Sequence, residues 1–290
     1  MSIILVLENP LTNDVVMQLY FTREGNEEQL RQFIKAVTHL TDDDLYILEI
    51  KKPKLSKENV LDKDFIVDIN VTSKTGHRVN IEMQVENHAG FIERMVSYNA
   101  RQYSSQLQRG DKYKQLKEAI SIVVVDFPIF NDTAEFYEHI LFRRINRKIF
   151  TKAQQFYIID LTKIPKELTD AKTMWATLFK ARSREELEML SQDCDEMKQA
   201  ADKLAQLAAD EDARFMADLR ERGRWAREQR EFYLLADERA KMEAKAEAEK
   251  LESAKKFLQN GISLDIIADS LKLSEKSIEK LKTINTKQID

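Results

Sequence analysis

Cysteine, glycine and proline are scarce in this chain of 290 residues, which has one Cys, six Gly and four Pro. A single cysteine, Cys194, excludes an intramolecular disulfide framework and a metal site built from several cysteines, and it is typical of a reducing compartment. The scarcity of Gly and Pro predicts few loops. The sequence has no glycine-rich phosphate-binding loop, which argues against an enzyme driven by nucleotide hydrolysis.

Long apolar runs and an excess of positive charge are also lacking. The apolar run at residues 3–7 is too short for the core of a signal peptide and has no basic flank, and no stretch reaches membrane-spanning length. We therefore expect a soluble, cytoplasmic protein. The net charge is −4, so any contact with nucleic acid depends on local basic patches. Residues 51–54 and 143–148 are such patches, and Arg143 and Arg144 are candidate contacts with the DNA backbone.

Hydrophobic residues make up 43% of the chain, enough for one full core and a smaller extension. The order of the predicted elements indicates a mixed α/β fold in which an antiparallel part leads into a buried central strand. Helices are predicted over 12–39, with an interruption at Gly25, and over 91–107, with a left-handed cap at Gly110; strands are predicted over 45–50, 65–72, 78–86, 119–127 and 156–161.

The composition changes near residue 181, and three regions follow from it. Residues 1–180 form the α/β domain, and residues 181–256, rich in Ala, Glu, Lys and Arg, form a charged helical or coiled-coil region. Residues 257–290 carry the apolar spacing of a small helix-turn-helix, with Ser274 as a helix N-cap. Any short helical hairpin that docks on a neighbour has similar spacing, and Lys272 stands where the turn usually has glycine, so DNA contact by this tail stays open.

The strands over 65–72 and 78–86 carry the candidate chemistry. Side chains alternate along a strand, so a hairpin brings Asp68 and Glu82 side by side at its edge. Adjacent carboxylates repel each other, and a hard divalent cation is the usual reason for such a pair. An amphipathic hairpin with a solvated polar face explains the spacing equally well.

The motifs around this hairpin resemble those of a known family. Asp68, Gly76 and the run Asn80–Gln84 (Asn-Ile-Glu-Met-Gln) precede a helix with Phe91, Arg94, Tyr98 and Tyr103 and the segment Gly110–Tyr113. This pattern resembles the recombination-promoting nuclease (Rpn) family, also described as PD-(D/E)XK nuclease family transposases, over residues 10–160, with a weaker similarity at 250–283. The resemblance implies a restriction-endonuclease-like PD-(D/E)XK core with a long helical C-terminal extension, and a metal-dependent DNA endonuclease linked to recombination or mobile elements.

The resemblance also implies a metal site. Asp68 and Glu82 would ligate Mg²⁺, with Mn²⁺ as an alternative, and the backbone carbonyl of Met83 would be a further ligand. Asp14 on the first helix would be an additional acid, bound directly or through water. The family pattern in this helix departs from the usual one, because Met17 stands in place of Phe and Gln18 in place of Lys.

Gln84 occupies the position at which most PD-(D/E)XK enzymes carry lysine. A glutamine can hydrogen-bond a water molecule but supplies no positive charge. A neighbouring cation could compensate, and Arg94 and Arg101 on the following helix are the candidates for this role and for DNA contact.

Two readings of another class compete with the nuclease. One is a non-catalytic DNA-binding or assembly module on the same fold, with activity weakened by Gln84. The other is an oligomerisation scaffold that forms a homo-oligomer through the C-terminal helices, since the helical tail is over a quarter of the chain. The four histidines show no ligand spacing.

Overall fold

A computed structural model describes residues 10–46, 48–51, 69–192, 194–274, 277, 278 and 281. The described residues form two compact units, which divide between Gly223 and Arg224. None of the helices in this described part is long and apolar enough to cross a membrane.

The described strands of the first unit form one six-stranded sheet with the order β1-β2-β3-β4-β6-β5. The β3–β4 and β4–β6 pairs are parallel, and the remaining pairs are antiparallel. The strands are β1 (Leu48–Lys51), β2 (Ile69–Ser73), β3 (Arg78–Gln84), β4 (Ala119–Val125), β5 (Tyr137–Arg143) and β6 (Ile149–Asp160).

Helices flank this sheet and extend beyond it. They are α1 (Asp14–Thr22), α2 (Glu27–Val37), α3 (Asp42–Leu45), α4 (Phe91–Ser104), α5 (Ala171–Lys180), α6 (Arg184–Leu190), α7 (Asp195–Ala208), α8 (Glu211–Gln259) and α9 (Leu264–Leu271). Local sequence fixes several starts, because side-chain caps satisfy the free amides of the first turn. Asn13 accepts hydrogen bonds from the amides of Val15 and Val16, and Ser183 forms a capping box with Glu186.

The two faces of the sheet carry different layers. Odd-numbered residues of β3, such as Ile81, pack in the larger core with α1, α2 and α5 to α7. The opposite face is covered by α4, whose Phe91 and Met95 pack against Val123 and Val125 of β4. All seven residues of β4 are buried, so the predicted central strand is confirmed.

The turn between β2 and β3 depends on Gly76. This residue has φ +90°, and a Cβ there would lie 3.1 Å from Cγ of Lys117. The amide of Gly76 donates to the carbonyl of Ser73 at 2.9 Å. Glycine adopts this left-handed conformation without steric cost, which explains the Gly in the hairpin motif.

Other predicted boundaries were wrong. Helix α4 ends at Ser104 rather than at the predicted Leu107, because Gln106 leaves the helix and its side-chain amide bonds both backbone groups of Lys117. Strand β6 begins at Ile149 instead of residue 156, and it pairs with β5, which the sequence pattern missed. Strand β5 is an edge strand with irregular exposure, so it has no clean polar–apolar alternation.

Helices α6 and α7, which follow residue 180, pack on the same core as the sheet. Leu187 and Leu190 of α6 and Met197 and Leu204 of α7 are buried in the larger core. The three-region organisation predicted from composition stays a prediction, and the observed division of contacts lies between Gly223 and Arg224.

The second unit contains the C-terminal part of α8, helix α9 and the following turn. Ala254 of α8, Ile267 of α9 and Leu281 form its buried cluster. Ser274 accepts a hydrogen bond from the amide of Ser277 at 3.3 Å, as an N-cap does. Lys272 has φ +48° at the end of α9, the left-handed position at which glycine is usual.

Candidate active site

Glu82 lies near the C-terminal end of β3, on the face covered by α4. It pairs in register with Val123 of β4, and Asn80 and Gln84 share its face because side chains alternate along the strand. Glu82 is 6% exposed. A buried carboxylate in a sheet requires a specific partner.

That partner is Arg94, which α4 presents one turn after its start. Its Nη2 donates to Oε1 of Glu82 at 3.0 Å and to Oε1 of Gln84 at 3.1 Å. The ring of Phe91 lies 5.4 Å from the guanidinium carbon. Gln84 is oriented further by the bond from its Nε2 to the carbonyl of Glu86 at 3.1 Å. Three predicted site residues therefore meet directly.

Two opposing effects act on the Glu82 carboxylate. Burial raises its pKa above the ordinary value for glutamate, and the charge and hydrogen bond of Arg94 lower it, with burial the larger effect. The ionised form thus depends on nearby positive charge. A bound cation would favour it in the same way.

The oxygen atoms at this end of β3 suit a hard cation. Arg94 occupies Oε1 of Glu82, and Oε2 has no hydrogen-bond donor among the described residues. The carbonyl of Gln84 accepts from Asp126 on the β4 side at 3.0 Å, so the carbonyl of Met83 faces the β2 side, since successive carbonyls alternate. The buried Oδ1 of Asn80 also has no described partner. Mg²⁺ needs only one or two protein carboxylates, so this donor set fits it.

Asp68 lies outside the described residues, directly before β2. Among the described residues, no group of three or more His, Cys, Asp and Glu side chains is arranged to hold a metal ion. The pairing of Asp68 with Glu82 at a metal therefore stays a prediction.

Asp14, the predicted helical acid, lies against Arg220 of α8. Both Asp14 carboxylate oxygens accept from this guanidinium, the shortest contact being 2.7 Å to Nη2. Arg220 is 8% exposed. This bidentate pair joins α1 to α8, and the ligand role of Asp14 stays a prediction.

The other predicted DNA contacts lie elsewhere. Arg101 is exposed and follows Arg94 by seven residues, about 10 Å along α4. Glu82 pairs with Val123 of β4, which pairs with Ile158 of β6. Arg143 pairs with Ile149 of β6, which is nine residues before Ile158. Arg143 and the adjacent Arg144 are thus about 30 Å along the strands from Glu82, at the opposite end of the sheet.

Sequence spacing missed a polar cluster at that opposite end. His39 Nε2 lies 2.9 Å and His77 Nδ1 3.7 Å from Oε2 of Glu118. Gln155 donates to the same oxygen at 2.9 Å and meets His139 Nε2 at 2.8 Å. These residues come from loops and strands far apart in the sequence, so no local motif could have revealed them.

A mixed sheet between helical layers, with an acidic residue near the end of the strand that follows a hairpin, defines the PD-(D/E)XK nuclease fold class. The family described as PD-(D/E)XK nuclease family transposase matches residues 11–231. The chain belongs to this family, and the resemblance and the fold class predicted from the sequence are confirmed. No curated protein and no solved structure matches the chain.

Proposed function

We propose that this chain is a metal-dependent DNA endonuclease that hydrolyses phosphodiester bonds at the C-terminal end of β3. The observation that carries the proposal is the contact of Arg94 with both Glu82 and Gln84. It supplies a buried acid, a neutral hydrogen-bonding amide and a positive charge within one small site. Membership in a nuclease family supports the same reaction type.

Glu82, the Met83 carbonyl and Asp68 are the proposed ligands of Mg²⁺ or Mn²⁺. Ile69 pairs with Ile81, and Asp68 and Glu82 are the next residues outward in the sequence on the two sides of this pair. Continued antiparallel pairing would make them neighbours. When bound, the metal would activate a water molecule and neutralise phosphate charge.

Gln84 and Arg94 together replace the lysine that most PD-(D/E)XK enzymes carry at the position of Gln84. The Gln84 amide orients the attacking water by hydrogen bonding, and Arg94 provides the charge that glutamine lacks. The Arg94 side chain is 37% exposed, so it is able to meet a phosphate oxygen while it holds Glu82. Arginine also suits this role because its planar donors match phosphate geometry.

Cleavage of supercoiled plasmid with Mg²⁺ or Mn²⁺ tests the proposal. Asp68→Asn and Glu82→Gln should each lower the nicking rate by about 10²–10³-fold, the range for loss of one charge-stabilising group. Glu93→Gln, an exposed acid on α4, is the matched control and should retain activity. Folding of each variant is checked by circular dichroism.

A second pair of variants tests the compensating cation. Arg94→Ala should lower the rate by about 10–100-fold, as loss of a supporting contact does, whereas Arg101→Ala on the same helix should not. If the wild type binds DNA but cuts nothing with either metal, the non-catalytic DNA-binding module is the better reading. Equal cutting by wild type and the Glu82→Gln variant would refute the assigned site.

A further inference from the structure

The second unit contains a helical segment whose large apolar side chains face solvent. On α8, Trp225 is 65%, Phe232 66%, Leu235 51% and Met242 73% exposed. Leaving these four apolar side chains in solvent is unfavourable. Covering them would remove apolar surface from water, which is the main favourable contribution to association. The segment from Trp225 to Met242 is about 26 Å long at 1.5 Å per residue.

These side chains follow the alternating three- and four-residue spacing of a coiled-coil seam. Two charged residues complete the stripe, and both are exposed. The six positions of the stripe are Trp225, Glu228, Phe232, Leu235, Arg239 and Met242.

The neighbouring helices of the second unit leave this stripe uncovered. The apolar contacts of α8 with α9 and the final turn come from Leu251, Ala254 and Leu258, and Glu247 accepts a hydrogen bond from the Ser274 hydroxyl at 2.6 Å. The stripe ends at Met242, nine residues or about 14 Å before Leu251. The cluster of the second unit therefore lies farther along α8, and the apolar side chains of the stripe stay exposed.

The order of residues in the stripe makes it complementary to itself in the antiparallel direction. A two-fold axis between Tyr233 and Leu234 places Phe232 opposite Leu235 of a second copy. The same axis places Trp225 opposite Met242 and Glu228 opposite Arg239. Every layer then joins two apolar residues or two opposite charges, and a two-fold interface of this kind repeats each contact twice.

A parallel pair would not have this property. It would place Glu228 against Glu228 and Arg239 against Arg239, and like charges within a helical seam are destabilising. Glu228 and Arg239 are eleven residues apart on one helix, about 16 Å, so they cannot pair within one chain. The charge pattern thus selects the antiparallel partner.

We propose that α8 is an interaction surface for a second copy of this chain, which packs antiparallel along the stripe from Trp225 to Met242. The seam ends at Trp225, because the preceding stripe position, Glu221, is already bonded to Asn13 at 2.8 Å. The inference does not depend on the proposed nuclease function.

Charge reversal in the full-length chain tests the pairing by sedimentation equilibrium over micromolar to submillimolar concentrations. The wild type should dimerise. Glu228→Arg and Arg239→Glu should each weaken the dimer by at least about tenfold, since each creates two like-charge layers. The double variant Glu228→Arg/Arg239→Glu restores both pairs and should dimerise as the wild type does.

Arg230→Glu, an exposed reversal outside the stripe, is the matched control and should leave dimerisation unchanged. Mixing the two single variants should also yield a dimer, because each copy then meets opposite charges; this rules out misfolding as the cause of their weakness. A wild-type chain that stays monomeric at the highest concentration overturns the proposal. So does a double variant that is as weak as the single ones.

Discussion

At the scale of single residues, the positive charge near Glu82 comes from a helix rather than from the strand. Sequence reasoning reduced the candidates for this cation to Arg94 and Arg101. The docking of α4 on the sheet decides between them, because only Arg94 is in contact with Glu82 and Gln84. The Glu-x-Gln run could be recognised from its spacing, but the contact between elements depends on packing that no local pattern encodes.

The loss of Arg94 should show how much the buried Glu82 carboxylate lowers the free energy of unfolding when it has no charged partner. In the presence of a chelator, Arg94→Ala should lower the free energy of unfolding by about 1–3 kcal/mol at neutral pH, because a buried carboxylate loses its charged partner. Burial raises the pKa of Glu82 in the folded state above its unfolded value. The protonated form therefore favours folding, and the penalty grows as pH rises through the folded pKa.

Urea unfolding of wild type and variant at several pH values checks this sign. The difference between them should shrink as the pH is lowered towards the ordinary glutamate pKa. Adding Glu82→Gln to Arg94→Ala should remove the pH dependence of that difference. A deficit that is the same at every pH would contradict the assignment to Glu82.

At the scale of elements, Asn99 connects α4 to the strands beneath it. Its Nδ2 donates to Oγ of Ser121 at 2.9 Å and to the carbonyl of Ala119 at 3.1 Å, and its Oδ1 accepts from Gln154 at 3.1 Å. Asn99 is 1% exposed. A buried amide bonded to two strands fixes the position of the helix that carries Arg94.

Asn99→Ala should therefore destabilise the protein by about 1–3 kcal/mol, since it leaves buried polar groups of two strands unpaired. Thermal unfolding measures the effect, and Arg101→Ala, exposed on the same helix, serves as the control with little change. Nicking activity should fall more in the Asn99 variant than its loss of folded protein explains, because the position of Arg94 shifts. Unchanged stability would show that the helix is held by its apolar contacts alone.

Elements with strong periodicity were predictable from the sequence, and weakly patterned ones were not. The buried run of β4 and the interruption at Gly25 were predicted correctly, because both arise from local composition. Strand β5 is mostly exposed and has register shifts near its end, after Leu141. Its structure comes from pairing with β6, which is a tertiary effect.

At the scale of the whole molecule, an ion pair in the first unit joins two residues that are 206 positions apart in the sequence. Asp14 and Arg220 meet in a bidentate ion pair, and Val15 packs with Met216 and Leu219 nearby. The start of α8 is therefore part of the first unit. The family match, which extends to residue 231, includes this segment.

A double-mutant cycle should detect the coupling of this pair. Arg220→Met alone should cost about 3 kcal/mol of unfolding free energy, because the largely buried Asp14 carboxylate loses the charge of its guanidinium partner. Asp14→Asn combined with Arg220→Met should cost less than the sum of the two single changes by about 1–3 kcal/mol. Urea unfolding supplies the free energies.

The nicking activity of the same variants separates two roles of Asp14. If Asp14 only stabilises the fold, the double variant should cut DNA at the wild-type rate under conditions in which it is fully folded. If Asp14 is a ligand or holds a metal-bound water, activity should be lost despite normal folding. A sum of costs without coupling would contradict the ion pair as a stabilising contact.

The fold class and the family were predictable from the hairpin motif and the helix that follows it, whereas the order of the sheet was not. The hairpin motif determines the β2–β3 pairing, but the placement of β6 between β4 and β5 depends on contacts between distant segments. The contacts of His39 and His77 with Glu118 likewise join segments that are far apart in the sequence. Residues brought together only by topology carry no spacing signal in the chain.

The position of Arg94 has a consequence for recognising relatives of this protein. A search pattern that demands lysine two residues after the strand glutamate would reject this chain as a degenerate copy. A pattern that reads Glu, any residue, Gln, nine further residues and Arg would accept it, since it follows Glu82, Gln84 and Arg94. Among distant homologues, chains with glutamine in place of the strand lysine should carry that arginine on the following helix. Chains that have neither the lysine nor the arginine should be inactive.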